Sequence, residues 1–264
     1  MRTQPEVKIA GLLFIALWLI VVLFILIAGR YHPSIRSFRN RMIIQRKLAL
    51  AITGLFVLGS GIGGNGFFNP FAIAVFCQAW IGLTLASGIE GYQPLPVLQT
   101  FVERKHILRQ TVLLVIISIL VVVSTMLIGT VGLGIGRSLF GEANYSQDAV
   151  NLLPPNKWLM FFLLFSGAGI AEETTYRLVL IPLVWKVTKR KWLAIVLSAL
   201  AFGAYHLTPL NAMYRVFWQF PISQFLASTL IGITWGYLFI KRGYETAVLG
   251  HTLSDWLPLM IFEG

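Results

Sequence analysis

Eight apolar stretches of about 20 residues each dominate this chain, at roughly 9–29, 48–67, 70–89, 108–130, 157–185, 192–209, 219–240 and 244–262. That is the length a helix needs to cross the hydrocarbon core of a bilayer, where each span has to satisfy its own backbone hydrogen bonds. The expected fold is therefore all-α: a polytopic membrane helical bundle of about eight transmembrane helices. Only 12% of the residues are charged, against about 25% in a soluble domain. The first run, Ile9 to Ala28, is longer than the roughly 7–15 residues of a signal-peptide core and reads as a span.

The polar connections orient the bundle. Arg30, Arg36, Arg39, Arg41, Arg46 and Lys47, with Arg104, Lys105, Arg109, Lys186, Lys189, Arg190, Lys191, Lys241 and Arg242, put fifteen cations on one side. Arg2, Lys8, Arg137, Lys157 and Arg215 put five on the other, and Arg177 lies inside a span. Cytoplasmic loops carry the excess of Lys and Arg, so both termini are expected outside the cytoplasm. The net charge of +11 is clustered in loops between apolar runs and forms no stripe on a soluble domain, which argues against nucleic acid as a partner. Membrane lipids are the expected surroundings. Pro33 to Lys47 carries Ile35, Phe38 and Met42 near helical spacing, which suits either a short helix on the anionic leaflet or a solvated loop. Gly59 to Gly66 lacks the Lys-Ser/Thr of a phosphate loop and reads as a tight turn. The outer connection, 131–156, contains Asn144-Tyr-Ser146, a glycosylation acceptor in a eukaryotic secretory membrane only. The single cysteine, Cys77, excludes an intrachain disulfide and a cysteine-based metal site.

Against this apolar background Glu172 and Glu173 stand out, adjacent and near the middle of the fifth stretch. Ionisable groups at that depth are costly and mark functional sites by default. Glu173 and Arg177 are spaced i, i+4 with the acid first, the favourable order for a helical ion pair, and that pair could be purely structural. Glu172 has no such partner and is the freer carboxylate. His206 lies on a later apolar stretch, where a lone histidine is more often hydrogen-bonded structure than a ligand. His251 and Asp255 are four residues apart and share a helix face, a spacing that suits an oriented histidine. At 1.5 Å per residue, Glu172 and His206 lie roughly 21 Å from the cytoplasmic ends of their helices, and His251 and Asp255 roughly 10 and 16 Å from theirs. Tilt absorbs the difference, and the five groups can share one slab.

Glu172-Glu-Thr-Thr-Tyr-Arg177 reads as EExxxR, Phe202-Gly-Ala-Tyr-His206 as FxxxH, and His251-Thr-Leu-Ser-Asp255 as HxxxN/D. In this order, on successive spans, the three motifs resemble the CPBP (ABI/CAAX-protease) family of intramembrane proteases, which includes the Rce1-type prenyl-protein endopeptidases. The resemblance covers about 157–262, a protease core of about four spans, and leaves an N-terminal region of about four spans in 1–150. It implies hydrolysis of a peptide bond within the membrane by glutamate-activated water, with CAAX-type C-terminal processing as one form and a peptide or membrane-anchored protein as substrate. In that family's terms Glu172 is the base, assisted by Glu173; His206 and His251 stabilise the oxyanion or bind a metal; Asp255 orients His251 or completes the site; Arg177 holds Glu173. Phe202 opens the second motif. Asp255 stands where the prenyl-protein enzymes usually have Asn. Whether members use a metal is unsettled: Glu172, His206 and His251 are donor types that suit zinc, but HExxH is absent. No organic cofactor is expected. Two other readings compete: a non-catalytic scaffold or immunity-type member of the same fold, which need not keep Glu172, His206 and His251 together, and an ion-coupled transporter, against which the lack of internal repeats counts. A reporter fused after Gly264 is expected on the non-cytoplasmic side; a cytoplasmic signal would refute the eight-span orientation.

Overall fold

The structure is a computed structural model that describes residues 5–142 and 154–262. Among the described residues every regular element is helical, as the apolar pattern requires. In chain order these are α1 (Pro5–Tyr31), α2 (Pro33–Ile62), α3 (Phe71–Ala86), α4 (Pro96–Glu103), α5 (Ile107–Phe140), α6 (Lys157–Leu164), α7 (Ile181–Thr188), α8 (Lys191–Tyr205), α9 (Tyr214–Phe217), α10 (Pro221–Arg242) and α11 (Tyr244–Phe262). Between α6 and α7 the chain stays helical but widens into two π segments, Phe165–Glu172 and Thr174–Leu180. Four helices, α1, α2, α5 and α10, are long and apolar enough to cross a membrane, and α3 and α8 are shorter apolar helices. The long apolar helices mark an integral membrane protein.

Local chemistry sets the breaks. His32, held extended at φ −102° and ψ 118° before Pro33, separates α1 from α2, because a residue that precedes proline is pushed out of the helical region. The Asn156 side chain accepts from the backbone N–H groups of Trp158 and Leu159 and so caps α6. The N–H groups of Ile222 and Ser223 donate to the two carboxylate oxygens of Glu142, each at 2.7 Å. That anion sits where the helix dipole of α10 favours it.

The structure corrects several boundaries. Pro33 to Lys47 is neither a separate surface helix nor a loop; it is the first half of α2. Thirty residues span about 45 Å, more than the roughly 30 Å of hydrocarbon, so the basic half projects beyond the core. It is held by packing: Arg39 lies against Gly29 of α1, and the indole N–H of Trp80 donates to the Met42 carbonyl. Similarly α5 continues to Phe140, ten residues past the expected end at 130. Glycosylation acceptor Asn144-Tyr-Ser146 lies outside the described residues.

Helices α3, α2, α8, α10 and α11 pack around the π-helical stretch. Small residues let backbones meet there. A Cβ on Gly82 of α3 would stand 2.6 Å from the Leu178 carbonyl oxygen, and one on Gly169 would stand 2.3 Å from the Thr252 hydroxyl of α11. The first obstacle is backbone and cannot rotate away. Gly82→Val is therefore expected to lower the apparent melting temperature and the yield of folded protein in detergent, with an overpacking cost of about 1–3 kcal/mol. An unchanged melting curve would mean that α3 and the π segment do not touch as described.

Candidate active site

The two adjacent glutamates lie at the junction of the π segments, and the fold treats them differently. Glu173 is fully buried, whereas the Glu172 side chain keeps 16% of its surface. Arg177, also fully buried, places Nη1 3.2 Å from Glu173 Oε1, and its Nη2 donates to the Gly232 carbonyl of α10 at 3.3 Å. The guanidinium lies over the Phe202 ring at 4.5 Å and near the Trp235 ring at 5.4 Å. Aromatic faces attract a desolvated cation, so this site holds its positive charge with one carboxylate, one carbonyl and two rings.

His251 joins the same carboxylate. Its Nδ1 lies 2.8 Å from Glu173 Oε1. A carboxylate accepts, so Nδ1 carries the proton and Nε2 faces the other two acids: Glu172 Oε2 at 3.9 Å and Asp255 Oδ2 at 3.6 Å. Trp235 stacks on the imidazole with ring centroids 3.6 Å apart. The group that orients His251 is thus Glu173. Asp255, expected in that role, stands beyond hydrogen-bond distance on the opposite ring nitrogen, with 37% of its side chain exposed. His206 is fixed from its own helix: Nδ1 is 2.9 Å from the Phe202 carbonyl. A carbonyl only accepts, so the proton is on Nδ1 and Nε2 keeps its lone pair. Phe202 packs edge-on against both histidines, with centroids 4.7 Å from His206 and 5.7 Å from His251. All seven residues singled out in the sequence therefore meet in one cluster, buried except towards Asp255.

A cavity of about 60 Å³ lies beside Glu172, but Tyr176 and Tyr205 line it and neither histidine does. The histidines are covered: His251 by Trp235 and Phe202, His206 by Phe202, Tyr205 and Phe217. Nor does the donor set fit a metal. Among the described residues no three His, Cys, Asp or Glu side chains come together closely enough to hold an ion.

Two contributors escape a reading for polar groups in apolar stretches. Trp235 has no charge to mark it; only its place between Gly232 and Gly236, where helices approach closely, could have drawn notice. Tyr205, next to His206, lines the cavity with Glu172. The π widening was equally hidden, since it leaves the apolar pattern of the stretch intact; π turns are rare and often occur at functional sites.

Residues 154–257 match the family model described as Type II CAAX prenyl endopeptidase Rce1-like, which supports the resemblance to the Rce1-type branch of the CPBP proteases carried by the three motifs. Residues 1–153 lie outside the match. No curated protein and no solved structure matches the chain.

Removing Arg177 would leave Glu173 buried without its cation. Breaking a buried pair in this way costs about 3–5 kcal/mol, so Arg177→Ala is expected to lose folded protein in a thermal-stability assay. Arg177→Lys should rescue little of it, because an ammonium cannot match the planar contacts with Phe202 and Trp235. A fully stable Arg177→Ala would show that the pair does not hold the centre together.

Proposed function

We propose that this protein is an intramembrane endopeptidase that cleaves a prenylated, membrane-anchored substrate near its C-terminus, using water activated by Glu172. The observation that carries the reading is the division of labour between the adjacent acids. Glu173 is sealed and shared between Arg177 and His251, while Glu172 opens on a cavity large enough for several waters. The Rce1-like match supplies the substrate class.

In this mechanism the Glu172 carboxylate takes a proton from water as the water oxygen forms a bond to the scissile carbonyl carbon. The carbonyl becomes an oxyanion. His251, held through Nδ1 by Glu173, turns Nε2 towards the reacting centre, and in its imidazolium form donates Nε2–H to that oxyanion. His206, fixed by the Phe202 carbonyl, supports the Phe202 ring that packs against His251. The C–N bond then breaks, and the amine leaves with the proton that Glu172 took. Asp255 Oδ2 lies 3.6 Å from His251 Nε2, and Arg177 acts through Glu173.

General-base catalysis is worth about 10²–10⁴-fold. Glu172→Gln keeps the size of the side chain and is expected to lower kcat on a prenylated CAAX peptide at least about 100-fold, with an unchanged melting temperature. Retained turnover in that variant would reject Glu172 as the base. Absence of cleavage by the wild type would reject the endopeptidase reading.

A further inference from the structure

The cavity beside Glu172 is built only in part by the Rce1-like segment. Its far wall comes from the N-terminal region: Phe14 of α1, and Phe71 and Gln78 of α3. Gln78 is the one polar side chain on that wall, and it is 1% exposed. Its Oε1 accepts from the Thr175 hydroxyl at 3.2 Å, but that hydroxyl also lies 3.0 Å from the Ala171 carbonyl. One hydroxyl proton cannot serve both acceptors fully. Gln78 Nε2 has no hydrogen-bond partner among the described residues. Turning the amide over would pair the nitrogen with Thr175 and leave the oxygen unpaired instead. In either orientation one end of a buried amide is unsatisfied, a state that costs about 1–3 kcal/mol.

A purely structural α3 would have no use for such a group. An apolar residue of the same length would fill the position without an unpaired dipole, as Ala74 and Val75 do on the same wall. The missing partner must be polar, must enter the cavity, and must suit an amide whichever end is free. Water meets these conditions in the resting cavity, and a substrate peptide group, which carries both a carbonyl acceptor and an N–H donor, meets them when it displaces that water. Thr175 and Glu172 are separated by three positions on the π stretch and line the same cavity. A peptide group held at Gln78 would therefore lie beside the carboxylate that faces the cavity.

We infer that Gln78 is a substrate-binding residue. Its side-chain amide hydrogen-bonds a backbone peptide group of the substrate next to the scissile bond, while Phe14 and Phe71 pack against the flanking apolar side chain. The N-terminal helices thus complete a subsite that the Rce1-like segment leaves open on one side. This rests on the endopeptidase reading for its substrate, and the test separates the two.

The probe is a fluorescently labelled prenylated peptide ending in a CAAX sequence, presented to the full-length protein in detergent micelles. Cleavage by the wild type addresses the endopeptidase reading. Gln78 is addressed by binding, measured in Glu172→Gln protein with and without Gln78→Met. Methionine matches the length of glutamine and carries no amide, so the folded protein should be as stable as its parent or more so. Peptide affinity should fall about tenfold, the loss of one hydrogen bond in a buried site, and kcat/KM of the single variant Gln78→Met should fall by a similar factor. Gln78→Glu retains the acceptor towards Thr175 and loses the amide donors; it should also weaken binding, and it serves if the methionine variant does not accumulate. Equal peptide affinity with and without the Gln78 amide would overturn the inference, as would a Gln78→Met protein that loses stability in proportion to its activity, for then the amide is a structural bond. Weakened binding without cleavage by the wild type would uphold Gln78 as a peptide contact and reject hydrolysis.

Discussion

Two charges sit in this bundle with no measurable contact with solvent, Glu173 and Arg177, and the rest of the centre is arranged around them. Either charge alone would be prohibitively expensive in an apolar interior. Together they are tolerable only because each has further partners. The carboxylate also holds His251, and the guanidinium meets the Gly232 carbonyl and the faces of Phe202 and Trp235. Those partners come from the π stretch, α8, α10 and α11. Solvating one ion pair therefore ties four separate parts of the chain to one point, and it also orients the histidine that faces Glu172.

The widened helix turn makes this possible. Glu172 and Glu173 close one π segment and open the gap before the next. In this arrangement one acid points into the sealed ion pair and the other towards a cavity. Neighbouring anchors hold the distorted stretch in place: Ser198 donates to the Tyr176 carbonyl at 2.6 Å, and the Thr174 and Tyr244 hydroxyls meet at 2.7 Å. Close contacts at Gly82 and Gly169 leave the stretch no room to relax sideways. The elements that hold the π stretch also supply the partners of the site.

The N-terminal helices have a place in this scheme although they lie outside the family match. Helix α3 packs on the π stretch, and α1 packs on α2 and α3. At the N-terminal end of α1, Glu6 pairs with Arg215 and accepts from Tyr214 at 2.9 Å, linking α1 to the connection that carries α9. Phe217 of α9 covers His206. The first helix is therefore joined both to the cavity wall and to the segment that covers the second histidine.

Several features of this molecule were legible in the residues alone. Apolar length determined the all-helical fold, because a run of about 20 apolar residues in lipid can satisfy its backbone only within itself. Rarity pointed to the cluster: Glu172, Glu173, Arg177, His206, His251 and Asp255 are ionisable groups in stretches that otherwise avoid them, and the pairing of Glu173 with Arg177 followed from their spacing. Other features depended on neighbours distant in the chain. Hydropathy cannot distinguish an α turn from a π turn, since both bury the same side chains. It could not tell that the basic residues before Lys47 continue one helix, because Gly29, Arg39 and Trp80 hold that segment by packing. Spacing on α11 suggested Asp255 as the partner of His251, yet the hydrogen bond went to Glu173, 78 residues earlier. A local i, i+4 relation states only that two side chains can meet, whereas the competition for one imidazole proton is decided by which acceptor the tertiary packing buries beside it.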